Sequence, residues 1–177
     1  NNEKIRIAYI GGMGKRKRVD RLLKSFNIIQ KQNNNVELVI GGTGKQEKEL
    51  KNLSKKLKVK NVKFQGFVED EKLNQFYNNC DIFAFPSEYE GFGLSVLEAM
   101  AAGTPVVAIN QSSIPQVVGK TGILTKASTK DFADGIQSLI DSYSLRKKLS
   151  KNAIKRAKNF TWKKTAVQTR KIYEKIS

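Results

Sequence analysis

The chain has 177 residues, 39% of them hydrophobic and 8% aromatic, and a formal net charge of +17. That length and apolar content suit one globular domain with its own core, and no apolar run approaches the ~20 residues that a membrane-spanning helix needs. Histidine is absent, which removes the commonest general base and zinc ligand, and the single cysteine, Cys80, excludes an internal disulfide and points to packing in a cytoplasmic protein.

Residues 4–10, KIRIAYI, read as an apolar strand that runs into Gly11, Gly12, Met13 and Gly14. A helix is predicted to open at Lys15, Arg16, Lys17 and Arg18, with Val19, Leu22, Leu23 and Phe26 on one face. Two phosphate-binding motifs fail here. A Walker loop needs Ser or Thr where Arg16 stands, and a dinucleotide fingerprint needs a third glycine where Lys17 stands. Residues 36–40, VELVI, form the next strand, and the 41–44 turn leads into a Lys-rich helix whose Leu50, Leu53 and Leu57 make an inward stripe. A third strand over 61–65 ends at Gly66, Phe67 and Val68, and the helix predicted over 69–79 turns Leu73, Phe76 and Tyr77 inward.

The stretch over 81–102, DIFAFPSEYEGFGLSVLEAMAA, carries the strongest signal. A short apolar strand breaks at Pro86 and Ser87, passes a glycine-spaced turn with Glu90, Gly91, Phe92 and Gly93, and enters a helix near Leu94 and Ser95. A strand feeding a helix through glycines leaves unbonded N–H groups that, with the helix dipole, attract a phosphate. Glu90 precedes that anion site and Glu98 follows it by one turn or so, so two carboxylates flank a phosphate-sized hole. Carboxylates there repel a bare phosphate but accept paired hydrogen bonds from vicinal hydroxyls. The matching ligand is a phosphate joined to sugars.

A strand follows at 106–109, a turn at Ser112, Ser113, Ile114, Pro115 and Gln116, and a short strand at 121–125. Three helices run from Asp131 to the end, the last with Trp162, Ala166, Val167, Tyr173 and Ile176 expected inside. Strands this uniformly apolar, alternating with helices, imply an α/β fold: a Rossmann-like doubly wound parallel sheet covered on both faces. Its ligands belong outside the carboxyl ends of the strands, where these loops lie.

The segment EGFGLSVLE, continued by EAMAAGTPVVA, resembles the E-x₇-E motif of the retaining glycosyltransferases of family 4 (group 1), and YIGGMGKRKRVDRLLKSF is similar to that family's first strand, loop and helix. The resemblance implies one half of a GT-B fold, residues 1–177 being the C-terminal nucleotide-sugar-binding domain and the N-terminal acceptor domain lying outside this chain. By position, Glu90 would meet the transferred sugar, Glu98 would hold the ribose, and Lys17 would contact the donor diphosphate, making Glu90 and Lys17 the catalytic candidates. Where many members carry an Arg after the strand glycine this chain has Gly12, and Arg16 is the candidate substitute. Phe92, Gly93, Leu94 and Ser95 would complete the diphosphate and sugar contacts, and Gly66, Phe67 and Val68 would border the base. Glu88 stands where the family varies and is left outside the site.

The resemblance implies hexosyl transfer from a nucleoside diphosphate to an acceptor such as a glycan or lipid-linked glycan, without a cofactor or required metal, and the chain has no Asp-x-Asp pair. The isolated segment is expected to bind its donor without transferring the sugar. An alternative drawn from the charge is a nucleic-acid-binding module. Against it, Phe64, Phe67, Phe76, Phe83 and Phe85 fall on predicted strands and inner helix faces instead of among exposed basic runs. A supplementary expectation is peripheral contact of the basic surface with the inner face of a membrane.

Overall fold

A computed structural model describes residues 4–176, so residues 1–3 and 177 of the expected domain lie outside it. Six strands form one sheet: β1 Ile5–Ile10, β2 Val36–Gly41, β3 Val62–Gly66, β4 Ile82–Phe85, β5 Val106–Ile109 and β6 Ile123–Thr125. Their spatial order is β3-β2-β1-β4-β5-β6, and every pairing is parallel. All residues of β4 and β5 are buried, as strands covered on both faces require.

The helices that cover it are α1 Val19–Gln32, α2 Glu47–Lys56, α3 Asp70–Asn78, α4 Leu94–Ala101, α5 Ile114–Val118, α6 Thr129–Asp141 and α7 Tyr143–Ala157. Helix α1 packs with α2 and α6, whereas α4 packs with α5 and α7. Leu22, Leu23, Phe26 and Ile29 line the buried side of α1, each worth about 1.5–3 kcal/mol of burial. On the other side of the sheet Val96, Ala99 and Met100 of α4 are buried, and small Ala99 lets the helix approach closely.

Strand order reverses at β1. The chain proceeds outward through β2 and β3, then returns to lay β4 on the other side of β1. Only Ile7 and Ala8 of β1 register with β4, opposite Ile82 and Phe83, so the two strands are unpaired at their carboxyl ends. A crevice opens there, at the topological switch point. Tyr9 and Phe85 stack beneath it, with ring centroids 6.1 Å apart.

Three local expectations are corrected. The helix predicted from Lys15 is a 3-10 turn over Lys15–Lys17, broken at Arg18, whose φ of 50° is left-handed, so α1 begins only at Val19. Within the turn predicted at 112–116 a short helix, α5, begins at Ile114, because Pro115 fits the first helical turn. The last helix, α8 Trp162–Ile176, buries no residue: Trp162 is 83% exposed and Ile176 76%. Its apolar residues are spaced as predicted, but all of them are exposed.

Candidate functional site

The crevice is made by the loops after β1 and β4, which bring Lys17 and Glu90 together across 73 positions of sequence. Lys17 Nζ donates to Glu90 Oε1 at 2.6 Å, and the two side chains are only 18% and 11% exposed. The Lys17 ammonium also lies 5.7 Å from the centre of the Phe85 ring. A charge pair this enclosed is screened little by solvent, so each partner strongly fixes the other.

Glu90 is pinned through its backbone. Its N–H donates to Ser112 Oγ at 3.2 Å, and its carbonyl accepts from Ser112 Oγ at 2.6 Å and Ser113 Oγ at 3.0 Å. Below it, the Tyr9 hydroxyl donates to the Gly12 carbonyl at 3.0 Å. Burial raises the Tyr9 phenol well above its ordinary value and the Glu90 charge adds to that, so this donor keeps its proton.

Gly93 caps α4 in the left-handed region, with φ of 95°. Its carbonyl takes the N–H groups of Val96 and Leu97 at 3.0 and 3.1 Å. The N–H groups of Leu94 and Ser95 have no protein partner among the described residues, so they and the helix dipole are available to an anion. Leu94 is 57% exposed, and Phe92, 41% exposed, meets Phe160 edge-on at 5.8 Å. Glu98 lies beyond, where Tyr77 of α3 donates to its Oε2 at 2.8 Å. Burial, then this hydrogen bond, raises the Tyr77 phenol, so the carboxylate keeps a donor and retains accepting capacity for hydroxyls.

Other predicted site residues lie around a second groove of about 500 Å³, between the loops after β1 and β2. Gly12, Arg16 and Lys17 line it together with Thr43 and Lys45. Arg16 therefore does not join Glu90 as Lys17 does. Its exposed side chain belongs to the groove, while its carbonyl accepts from the N–H of Glu88. The loops themselves touch: the N–H of Gly42 donates to the Gly66 carbonyl at 2.6 Å, and a Cβ on Gly42 would stand 2.0 Å from the Gly11 carbonyl oxygen. Near the candidate base contacts Val68 is buried, but Phe67 is 67% exposed, which corrects its expected inward placement. An aromatic at a strand end belongs to the loop rim once the strand stops.

Tyr9, Tyr77, Ser112 and Ser113 escape sequence reasoning as site residues. Their types occur in any core strand or turn, and only the spatial arrangement sets them beside the two glutamates. Among the described residues no group of three or more His, Cys, Asp or Glu stands together as a metal site, and no helix is long and apolar enough to cross a membrane.

A doubly wound parallel sheet whose loops bring a helix start and a Lys–Glu pair to its switch point defines an α/β protein of the Rossmann-like class. The family profile described as "Glycosyl transferases group 1" matches residues 1–156, and the chain belongs to that family, as the C-terminal, donor-binding half of its GT-B fold. It is 33% identical over 171 residues to the O-antigen chain mannosyltransferase B of Escherichia coli, covering 94% of this chain and 45% of that protein. The C-terminal domain of the group 1 family protein LpcC from Francisella tularensis superposes with a TM-score of 0.80 at 26% identity, over 89% of this chain and 86% of that one. HepE of Anabaena, solved with UDP and glucose, shares the fold with a TM-score of 0.81 at 24% identity, over 89% of this chain and 44% of that one. The chain thus spans less than half the length of the mannosyltransferase it matches.

Proposed function

We propose that this chain holds the nucleoside diphosphate sugar of a retaining hexosyltransferase whose acceptor is a glycan or lipid-linked glycan. The observation that carries the reading is the enclosed Lys17–Glu90 pair, whose glutamate lies in the loop that leads into α4. The donor's diphosphate competes with Glu90 for the Lys17 ammonium and takes the Leu94 and Ser95 N–H groups, and Glu90 turns to the hexose hydroxyls. As the bond from the anomeric carbon to the phosphate oxygen breaks, negative charge grows on the departing diphosphate, and the acceptor hydroxyl takes its place on the same face and passes its proton to that phosphate. Lys17 and the start of α4 stabilise that charge, with Arg16 approaching from the neighbouring groove. The reading requires no metal.

Glu98, oriented by Tyr77, takes the ribose hydroxyls, and Gly66, Phe67 and Val68 border the base. The acceptor half is contributed by the rest of a longer enzyme of polysaccharide assembly, which suits the length of the relatives. Helix α8 supports that part of the reading, since Trp162, Ala166 and Ile176 share one exposed side. The remaining positive charge favours an anionic surface such as a membrane bearing a lipid acceptor. Because closure against the missing half completes such a cleft, the chain alone binds donor without transferring sugar.

Calorimetric titration with UDP, GDP, ADP and dTDP sugars, at low and high salt, tests the reading. Saturable binding of one nucleotide that survives moderate salt is expected. Glu98→Gln should weaken that nucleotide by about tenfold, the worth of one charge-assisted hydrogen bond. Glu90→Gln should instead flatten the difference between sugars. Salt-labile binding of a short RNA with no nucleotide preference would overturn the assignment.

A further inference from the structure

Glu88 stands two positions before Glu90 and takes no part in the crevice. Its carboxylate faces α1, where the guanidinium groups of Arg18 and Arg21 both donate to Oε1. Arg21 is the more telling partner. Its side chain is 4% exposed, and a charge that enclosed is retained only where its donors are matched. The match is the loop after β4, because the second nitrogen of Arg21 donates to the Pro86 carbonyl at 3.0 Å.

The same loop is tied to the residue before Lys17. The Glu88 N–H donates to the Arg16 carbonyl at 3.1 Å, and Ser87 Oγ donates to the same carbonyl at 3.3 Å. Arg18, the residue after Lys17, holds a φ of 50°, a left-handed conformation that is strained for a residue with a side chain. Its guanidinium spans Glu88 on one side and Asp20 on the other, the latter at 3.0 Å, so the strain is offset by one contact within α1 and one to the other loop.

We infer that Glu88, with Arg18 and Arg21, is a positioning residue: the three form a clamp that sets the distance and facing of Lys17 and Glu90. The inference rests on the assignment of that pair to the donor's diphosphate and sugar. The levers are short. Arg18 adjoins Lys17 in the chain, Glu88 lies one residue from the neighbour of Glu90, and Arg21 anchors the whole in the first turn of α1. Neutralising Glu88 leaves Arg18 with Asp20 and Arg21 with the Pro86 carbonyl, so the charged link shared between the two loops is lost and their spacing loosens, while the base and ribose contacts, carried by the loop after β3 and by Glu98, stay in place.

That division of labour supplies the test. A nucleoside, its diphosphate and its diphosphate sugar are titrated calorimetrically into the wild-type chain, Glu88→Gln and Arg18→Gly, and thermal unfolding is followed in parallel. Glu88→Gln should bind the diphosphate sugar about tenfold more weakly, the worth of one hydrogen bond to a charged group, with nucleoside affinity unchanged. Arg18→Gly removes the guanidinium where glycine suits the backbone, so it folds even if Glu88→Gln does not, and it should show the same ligand-selective loss. Equal weakening of all three ligands would reduce the clamp to ordinary loop packing and overturn the inference, as would wild-type affinity in both variants. A wild-type chain that binds the nucleoside as tightly as the diphosphate sugar would overturn the donor-site assignment itself, and the clamp with it.

Discussion

At the carboxyl edge of the sheet each loop is tied to another element, whereas α8 has the same amphipathic design and buries none of its residues. Glu90 is held by Ser112 and Ser113, and Arg21 by Pro86 and Glu88. Thr161 starts α8 by accepting from the Lys164 N–H at 3.2 Å, and Arg170 and Glu174 pair at 2.7 Å along its surface. One region is over-determined by tertiary contacts and the other rests on local ones. An apolar stripe therefore tells which face of a helix seeks a partner, and the chain that supplies the partner is a separate question.

The largest effect that sharpens this contrast comes from aromatic truncation. Phe83, fully buried and 5.5 Å from the Tyr77 ring, should lose about 3–5 kcal/mol as Phe83→Ala. Trp162→Ala removes a larger side chain and should change stability by less than about 0.5 kcal/mol in this chain. Urea unfolding of both variants checks the pair. A large loss at Trp162 would mean that α8 packs on the domain in solution, and the contrast between the regions would collapse.

An intermediate effect comes from the close approach of loops at the crevice. Gly42→Ala forces a Cβ against the Gly11 carbonyl at a φ of 102°, so it should cost more than about 2 kcal/mol and weaken donor binding as the first two loops separate. Ala166→Gly in α8 alters only helix propensity, roughly 1 kcal/mol locally, and should leave donor affinity untouched. Thermal melts with and without nucleotide distinguish the two.

How far the sequence announces these features follows from the range of each signal. All six strands are legible because an apolar run between turn residues carries its own boundary, and a parallel sheet covered on both faces follows from the alternation with helices. The start of α4 is legible because glycines at 91 and 93 allow little else. The break at Arg18 is not, since a left-handed arginine has no local signature and is held by Asp20 and by Glu88 from a distant loop. Arg21 looks like one more solvated cation in a chain of +17, yet it is buried. Glu88 is passed over because its partners are on α1, and position within a motif says nothing of contacts across the sheet. The uncovered state of α8 is illegible for the reason already given: periodicity encodes a face without its partner.

The smallest effect concerns Asp20, which joins Arg18 at 3.0 Å and Lys24 at 3.1 Å. Burial alone would raise its carboxyl, but the hydrogen bonds from Arg18 and Lys24 outweigh that and hold it below its ordinary 3.8. The unfolded chain therefore takes up this proton at a higher pH than the folded one. The stabilisation is fully present above the unfolded value and is lost as pH falls through the lower folded one. Because Asp20 is partly solvated, its share stays under about 1 kcal/mol. Asp20→Asn should thus be slightly less stable than wild type at neutral pH, and the gap should close as the pH drops below 3.8. Glu174→Gln on α8 should change stability by less than about 0.5 kcal/mol, since an exposed pair along a helix contributes little. If the Asp20 gap persists in acid, its hydrogen bonds to Arg18 do not depend on charge, and Arg18 is held in its left-handed conformation by backbone packing instead.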